Sequence, residues 1–254
     1  MDFAYLGLAL SLLLLVIPLI IFRHLKVKLT KQLLISFGRM IVQLSLVGLW
    51  LSFLFESKYA WLTFLWVLVM IFNAVLILRG RIKFQRKILT PIFLTSILVS
   101  TVIIMPWIIF VAVRPEPFFS ASFIIPVYGM VLGNSMNGMA LALERFESNL
   151  SGNWKAYTTR LSLGASLWEA ALPAFRQALQ ASLLPQLLNI AAMGIVSLPG
   201  MMSGQILGGT SPIVAIKYQM MLMSAVFSAV TLTDYIAIRL YLRRRFDRFY
   251  LPKK

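Results

Sequence analysis

The chain has no cysteine, one histidine and only eight acidic residues among 254. Without cysteine there is no disulfide framework, and no thiolate for a zinc or iron–sulfur site. Charged residues make up 13% of the sequence, against about a quarter in an ordinary soluble domain, while 60% is hydrophobic. That balance excludes a disordered chain and argues against a soluble enzyme. Catalytic signatures are missing as well: there is no His/Asp/Ser constellation, no pair of carboxylates inside an apolar run and no HExxH. No GxxxxGK(S/T) loop is present, so the sequence has no means of cradling nucleotide phosphates itself. What it has in excess is positive charge, a formal +16. On a soluble fold such a charge points to nucleic acid. Here the basic residues stand between long apolar runs, and no nucleic acid is needed to explain them.

Crossing about 30 Å of hydrocarbon takes roughly 20 mostly apolar residues. Seven segments meet that requirement: Phe3–Phe22, Leu33–Leu54, Ala60–Leu78, Pro91–Val113, Ser122–Leu143, Gln186–Gly208 and Gln219–Tyr241. Only helices or closed barrels satisfy the backbone in lipid, and alternating ten-residue strands are absent, so the expected class is all-α. The first run does not read as a cleaved signal peptide, because Asp2 precedes it, its apolar stretch is too long and no A-x-A site follows. Arg23, Lys26, Lys28 and Lys31 follow the first span. Arg79, Arg81, Lys83, Arg86 and Lys87 follow the third, and Arg145, Lys155, Arg160 and Arg176 the fifth. Arg239, Arg243, Arg244, Arg245, Arg248, Lys253 and Lys254 end the chain. The opposite connections hold only Lys58, Arg114 and Lys217. This asymmetry predicts an integral membrane protein with its N-terminus outside and its C-terminus in the cytoplasm. The reading is one permease-like domain, 1–254, whose sole long connection is cytoplasmic, about 144–185.

That connection carries a local signature. Gly164 is a natural residue to end a helix, because it accepts positive φ. Ser166 then begins another, with Glu169 three residues on in a capping-box pattern. The expectation is helix, sharp bend, short helix on the cytoplasmic face: either an amphipathic interfacial hairpin or an element that docks on a cytosolic partner.

Leu163-Gly-Ala-Ser166, followed by Glu169-Ala-Ala and Pro173, resembles the loop that ABC-transporter permeases place against their ATPases. Thr158-Thr-Arg160 stands where a glutamate-alanine-alanine run is commoner in that loop. Pro126-Val-Tyr-Gly-Met-Val-Leu-Gly-Asn-Ser-Met-Asn137, Val196-Ser-Leu-Pro-Gly-Met-Met-Ser-Gly204 and Ala215-Ile-Lys-Tyr-Gln219 are similar to one family, the FetB-type iron-export ABC permeases of bacteria. Plant aluminium-tolerance ABC membrane subunits are related to it. Phe37-Gly-Arg39 with Gln43 and Gly48, and Phe72-Asn-Ala74, fit the same resemblance. It implies half of an ATP-driven exporter in the bacterial inner membrane, two permeases working with two cytosolic ATPase subunits that use the ATP and Mg. It also implies iron or another metal as cargo. No cofactor is expected on this chain, and membrane lipid is its other partner.

Ionisable and polar groups inside the spans are costly and mark candidate sites. Arg39, Gln43, Asn73 and Asp234 fall at similar depth, and Arg39 either pairs with Asp234, shares a wet vestibule with it, or snorkels to water. Asn134 and Asn137 share a helix face with Met130; together with Ser197 and Ser203 they are candidates for the pathway, interhelical hydrogen bonding being the plainer role. Gly200, Gly204 and Gly208, just after Pro199, form a small-xxx-small ladder suited to close helix packing. Thirteen methionines tempt a soft-metal reading, but no Cys or His supports them, and ordinary apolar filling explains them. No metal site on the chain is expected. Competing functions are a self-sufficient secondary transporter, a membrane adaptor, or export of an organic solute such as a nucleotide sugar. Buried carboxylates and inverted repeats, usual in secondary transporters, are not evident.

Overall fold

Apolar runs without alternation leave the backbone no partners but its own, and nearly all of the chain is helical. The computed structural model describes residues 5–56, 60–82, 86–116 and 118–246. Lys58, Lys83, Arg248, Lys253 and Lys254 of the charge pattern lie outside them, as does the start of the first expected span. The helices are α1 (Tyr5–Leu12), a 3₁₀ turn (Leu13–Leu15), α2 (Val16–His24), α3 (Thr30–Glu56), α4 (Ala60–Arg81), α5 (Arg86–Pro106), a π-helical turn (Trp107–Val113), α6 (Ala121–Gly152), α7 (Trp154–Ser162), α8 (Leu167–Ala192), α9 (Gly200–Leu207) and α10 (Pro212–Arg245). No strand is present among the described residues.

The chain divides into two compact units, 1–58 and 59–254. In the first, α2 turns back into α3 through Leu25–Leu29, with Lys26 in the left-handed region at φ 53°. In the second, α6 is the central helix and packs against α10, α8 and α4, while α10 also packs against α5. Small side chains make these approaches close. On α8, Ala170, Ala174, Ala178 and Ser182 recur every fourth residue and are all buried. Met139, Ala140, Ala142 and Leu143 of α6 and Ala229, Val230, Ala237 and Ile238 of α10 are buried as well. Helices in lipid associate by this kind of packing, with no hydrophobic drive of their own.

Among the described residues four helices are long and apolar enough to cross a membrane: Thr30–Phe55, Ala60–Arg81, Lys87–Val113 and Pro212–Arg245, with Leu10–His24 as a shorter apolar helix. The four coincide with the expected second, third, fourth and seventh spans; Leu10–His24 overlaps the expected first span but is shorter than a crossing needs. The other two expectations need revision. The expected fifth span extends beyond Leu143 to Gly152 as α6, and its glycines and asparagines dilute its hydropathy. The expected sixth span, Gln186–Gly208, is not one helix. Its beginning is the last part of α8, a non-helical stretch spans 193–199, and α9 is a separate short helix. Most of the expected connection 144–185 is correspondingly helical. Local chemistry explains the break: Gly194 takes φ 92°, and Leu198 precedes Pro199, a position biased away from the α region. Pro173 and Pro185, by contrast, are absorbed inside α8.

Candidate functional site

Three places hold chemistry. The first is the elbow between α7 and α8. Gly164 adopts φ 90°, its N–H donates to the Leu161 carbonyl (3.0 Å), and the Ala165 N–H donates to the Arg160 carbonyl (3.0 Å). Ser166 caps α8 in a complete capping box: its hydroxyl accepts from the Glu169 N–H (3.3 Å), and its own N–H donates to Glu169 Oε2 (2.8 Å). The Ser166 hydroxyl hydrogen, and secondarily that N–H, hold the Glu169 carboxyl below its ordinary value. Arg160 Nη1 donates to the Ala170 carbonyl (3.2 Å), tying α7 to the first turns of α8. Leu163 at the tip is 82% exposed. Pro173 lines a small cavity with Tyr157 and Arg160 behind the bend. The helix following the bend is longer than expected, 26 residues. Trp168, near its start, lies beneath the Arg239 guanidinium of α10, 4.9 Å from the ring centroid.

A buried polar layer lies where α6, α8 and α10 meet. Asp234 is 0% exposed, and among the described residues neither carboxylate oxygen has a hydrogen-bond partner. It faces Gly138, where a Cβ would stand 3.1 Å from both oxygens. Ser182 of α8, whose side chain also bears on Asp234, donates to the Leu179 carbonyl (3.0 Å). Ser96 and Ser135 are buried with unpartnered hydroxyls, and Ser100 donates to the Ala229 carbonyl (3.3 Å). Asn134 and Asn137 serve as interhelical ties just outside this layer. Gln186 Nε2 donates to Asn134 Oδ1 (3.0 Å), and Arg81 Nη1 to Asn137 Oδ1 (3.2 Å). Met130 is half-buried against the core, and its carbonyl accepts from Asn134 Nδ2 (2.8 Å).

Of the expected polar cluster, Asn73 and Asp234 belong to the second unit, and no hydrogen bond joins them. Asn73 donates to the Val69 carbonyl of its own helix (2.9 Å). Arg39 and Gln43 are exposed on α3, in the N-terminal unit. The residues that do accompany Asp234, namely Gly138 and Ser182, escaped the sequence reading. A serine continuing an every-fourth-residue alanine series on α8 was the available signal.

Around the break between α8 and α9 lies a half-open cavity of about 580 Å³, lined by residues of α8, the non-helical stretch, α9 and α10, including Pro199, Met202 and Gln219. Ser197 is exposed, and its carbonyl accepts from the Gly194 N–H (2.9 Å); Ser203 is half-buried on α9. A Cβ on Gly200 or Gly204 would meet no described atom within 4 Å, and on Gly208 only carbonyls of its own helix end. No described segment therefore packs closely on that ladder. No group of three His, Asp or Glu side chains capable of holding a metal occurs among the described residues.

Comparison with known proteins places this geometry in context. The profile of an uncharacterised protein family, UPF0014, matches residues 5–246. A UPF0014 membrane protein of Synechocystis sp. is 34% identical over 248 residues, covering 98% of this chain and 95% of that one. The probable iron export permease protein FetB of Escherichia coli is 33% identical over 246 residues, 95% of this chain and 92% of its own. Protein ALUMINUM SENSITIVE 3 of Arabidopsis thaliana is 31% identical over 207 residues, 80% of this chain and 73% of its own. No solved structure matches the chain.

Proposed function

The chain belongs to the UPF0014 family of multi-pass membrane permeases, and from that premise we propose that it is the membrane-spanning subunit of an ATP-binding-cassette exporter. The observation that carries this reading is the α7–α8 elbow. Leu163 is held out on a glycine bend, locked from behind by the capping box and the Arg160 tie, and such a tip is built to enter a groove on a cytosolic ATPase. Leu163, Gly164, Ala165 and Ser166 make the docking surface, while Glu169 and Pro173 fix its direction. Force on the tip passes along α8 and through Trp168–Arg239 to α10. ATP and Mg belong to the partner, and the basic charge pattern supports a cytoplasmic elbow. Two copies of the chain in the bacterial inner membrane enclose the path. The cargo is iron or another metal ion, a reading supported by the name of the Escherichia coli relative. In the conformation described, Asn134 and Asn137 are occupied by Gln186 and Arg81, so these amides reach cargo only when the ties open.

The chain is purified with candidate cytosolic ATPases, reconstituted, and compared with Gly164→Trp while Fe²⁺ and other solutes are titrated. Hydrolysis that requires the chain, collapses in the variant and is stimulated by one solute supports the reading and identifies the cargo. ATPases that fail to bind, with a variant indistinguishable from wild type, overturn it. Asp234, fully buried without a partner among the described residues, favours as a second reading a transporter that works without ATP. That reading requires uptake or export by the chain alone, lost in Asp234→Asn.

A further inference from the structure

The cavity at the α8–α9 break holds a buried, unpartnered side-chain amide. Gln219 lines it, is 5% exposed, and its amide nitrogen has no hydrogen-bond partner among the described residues. Several polar groups near it are already paired. The Ser224 hydroxyl donates to the Met220 carbonyl (3.0 Å), and the Gly194 N–H to the Ser197 carbonyl (2.9 Å). The Val196 and Ser197 N–H groups both donate to the Ala192 carbonyl (3.0 and 3.1 Å). A buried amide left unpaired is costly, and a group that accepts from it relieves that cost. The terminal torsion of glutamine is soft, and a small rotation suffices to present the amide to an occupant.

The remaining lining is Leu187, Ile190, Met220, Phe227 and similar side chains, in a volume within the roughly 300–1,000 Å³ of small-molecule sites. A bare divalent cation gains little there. Thioethers are poor ligands for a hard or borderline ion, and no carboxylate or imidazole lines the space. The cavity is half open, on a helix apolar enough to lie in a membrane. Gln219 stands about 10 Å along α10 from its first residue.

We infer that this cavity binds a membrane amphiphile: an acyl chain seated along Leu187, Met220 and Phe227, with an oxygen of its head region accepting from the Gln219 amide. The site is independent of ATPase coupling, and its test needs no transport.

The full chain is placed in phosphatidylcholine nanodiscs containing, as a minor component, phosphatidylglycerol with a diazirine in one acyl chain. It is then irradiated and the labelled peptides are mapped. Labelling is expected to concentrate on residues 187–199 and 216–227, at least fivefold above the exposed α5 residues Val102 and Ile103. Met220→Trp fills the cavity from a side chain that is itself exposed and reduces that labelling at least fivefold. Gln219→Leu, close to isosteric, reduces it about two- to tenfold, the value of one hydrogen bond. Even labelling of all lipid-facing helices overturns the inference, as does an undiminished signal in a Met220→Trp variant with wild-type thermal stability. So does cross-linking of these peptides to a second copy in place of lipid, or displacement of the label by a soft metal ion.

Discussion

Gly138 offers the sharpest test of the packing around Asp234. A Cβ at this position would stand 2.6 Å from Val230 Cγ1 and 3.1 Å from each Asp234 oxygen. Valine has one strongly preferred rotamer in a helix, so it has little freedom to swing aside. Overpacking of this kind costs about 1–3 kcal/mol. Alanine returns up to about 1 kcal/mol of helix propensity over glycine. The net expectation for Gly138→Ala is a loss of about 1–2 kcal/mol. Gly133, on the same helix, has no described atom within 4 Å of the same ideal Cβ, so Gly133→Ala collects the propensity gain without the clash. The two identical substitutions should therefore shift stability in opposite directions, separated by about 2–3 kcal/mol, or several degrees in Tm at ~2–4 °C per kcal/mol. Thermal or SDS unfolding of purified protein in one detergent reads the difference. Adding Val230→Ala to Gly138→Ala should recover part of the loss, giving a coupling above about 0.5 kcal/mol in a double-mutant cycle. If Gly138→Ala is as stable as Gly133→Ala, α6 and α10 are not in the contact described, and the enclosure of Asp234 by that contact fails with it.

At the elbow, Gly164→Ala forces an L side chain to φ 90° and should cost roughly 1–2 kcal/mol locally, seen as faster amide exchange over 160–170 with little change in Tm; unchanged exchange would count against the bend. The capping box has a defined pH signature. Because Glu169 is held below its ordinary value in the folded state, its contribution is fully present above the ordinary glutamate pKa of about 4.3 and is lost as pH falls through the lower, folded value. Exchange at the start of α8 should accelerate only below about pH 4; Glu169→Gln, which keeps the box uncharged, should remove that dependence, while Ser166→Ala should cost about 0.5–2 kcal/mol at any pH. Asn134→Ala leaves the Gln186 amide without its acceptor and should cost about 1–3 kcal/mol. Its double-mutant cycle with Gln186→Ala should show a coupling near 1 kcal/mol, and independence of the two would remove this tie between α6 and α8.

Some features were legible because their physics is local. Apolar runs of Leu, Ile and Phe specify helices wherever the backbone must satisfy itself, and four long membrane-length helices among the described residues were read this way, although the last begins at Pro212, well before the expected Gln219. The elbow was equally legible. Gly164, Ser166 and Glu169 act on each other within one turn, so the positive φ and the capping box follow from spacing alone. The break in the expected sixth span was legible in principle, since Gly194 followed by Pro199 is a stop signal; high hydropathy across Gln186–Gly208 concealed it.

Which polar groups meet was decided elsewhere. Asp234, Arg39, Gln43 and Asn73 fall at similar depth along their spans, and depth says nothing about rotation or about which helices become neighbours. Packing within the second unit decides what surrounds Asp234. Small residues recurring on α8, with Gly138 on α6, bring these helices close to α10 and enclose Asp234 among them, while Asn73 turns to its own backbone. Asn134 and Asn137 share a helix face yet bond to different helices, because α8 and α4 flank that face. The sequence determined the helices, their charges and the elbow, since those depend on neighbours a few residues away. The buried carboxylate and the interhelical ties exist only through side chains 50 or more residues apart, and the cavity beside Gln219 only where α8, α9 and α10 meet, all brought together by close helix packing.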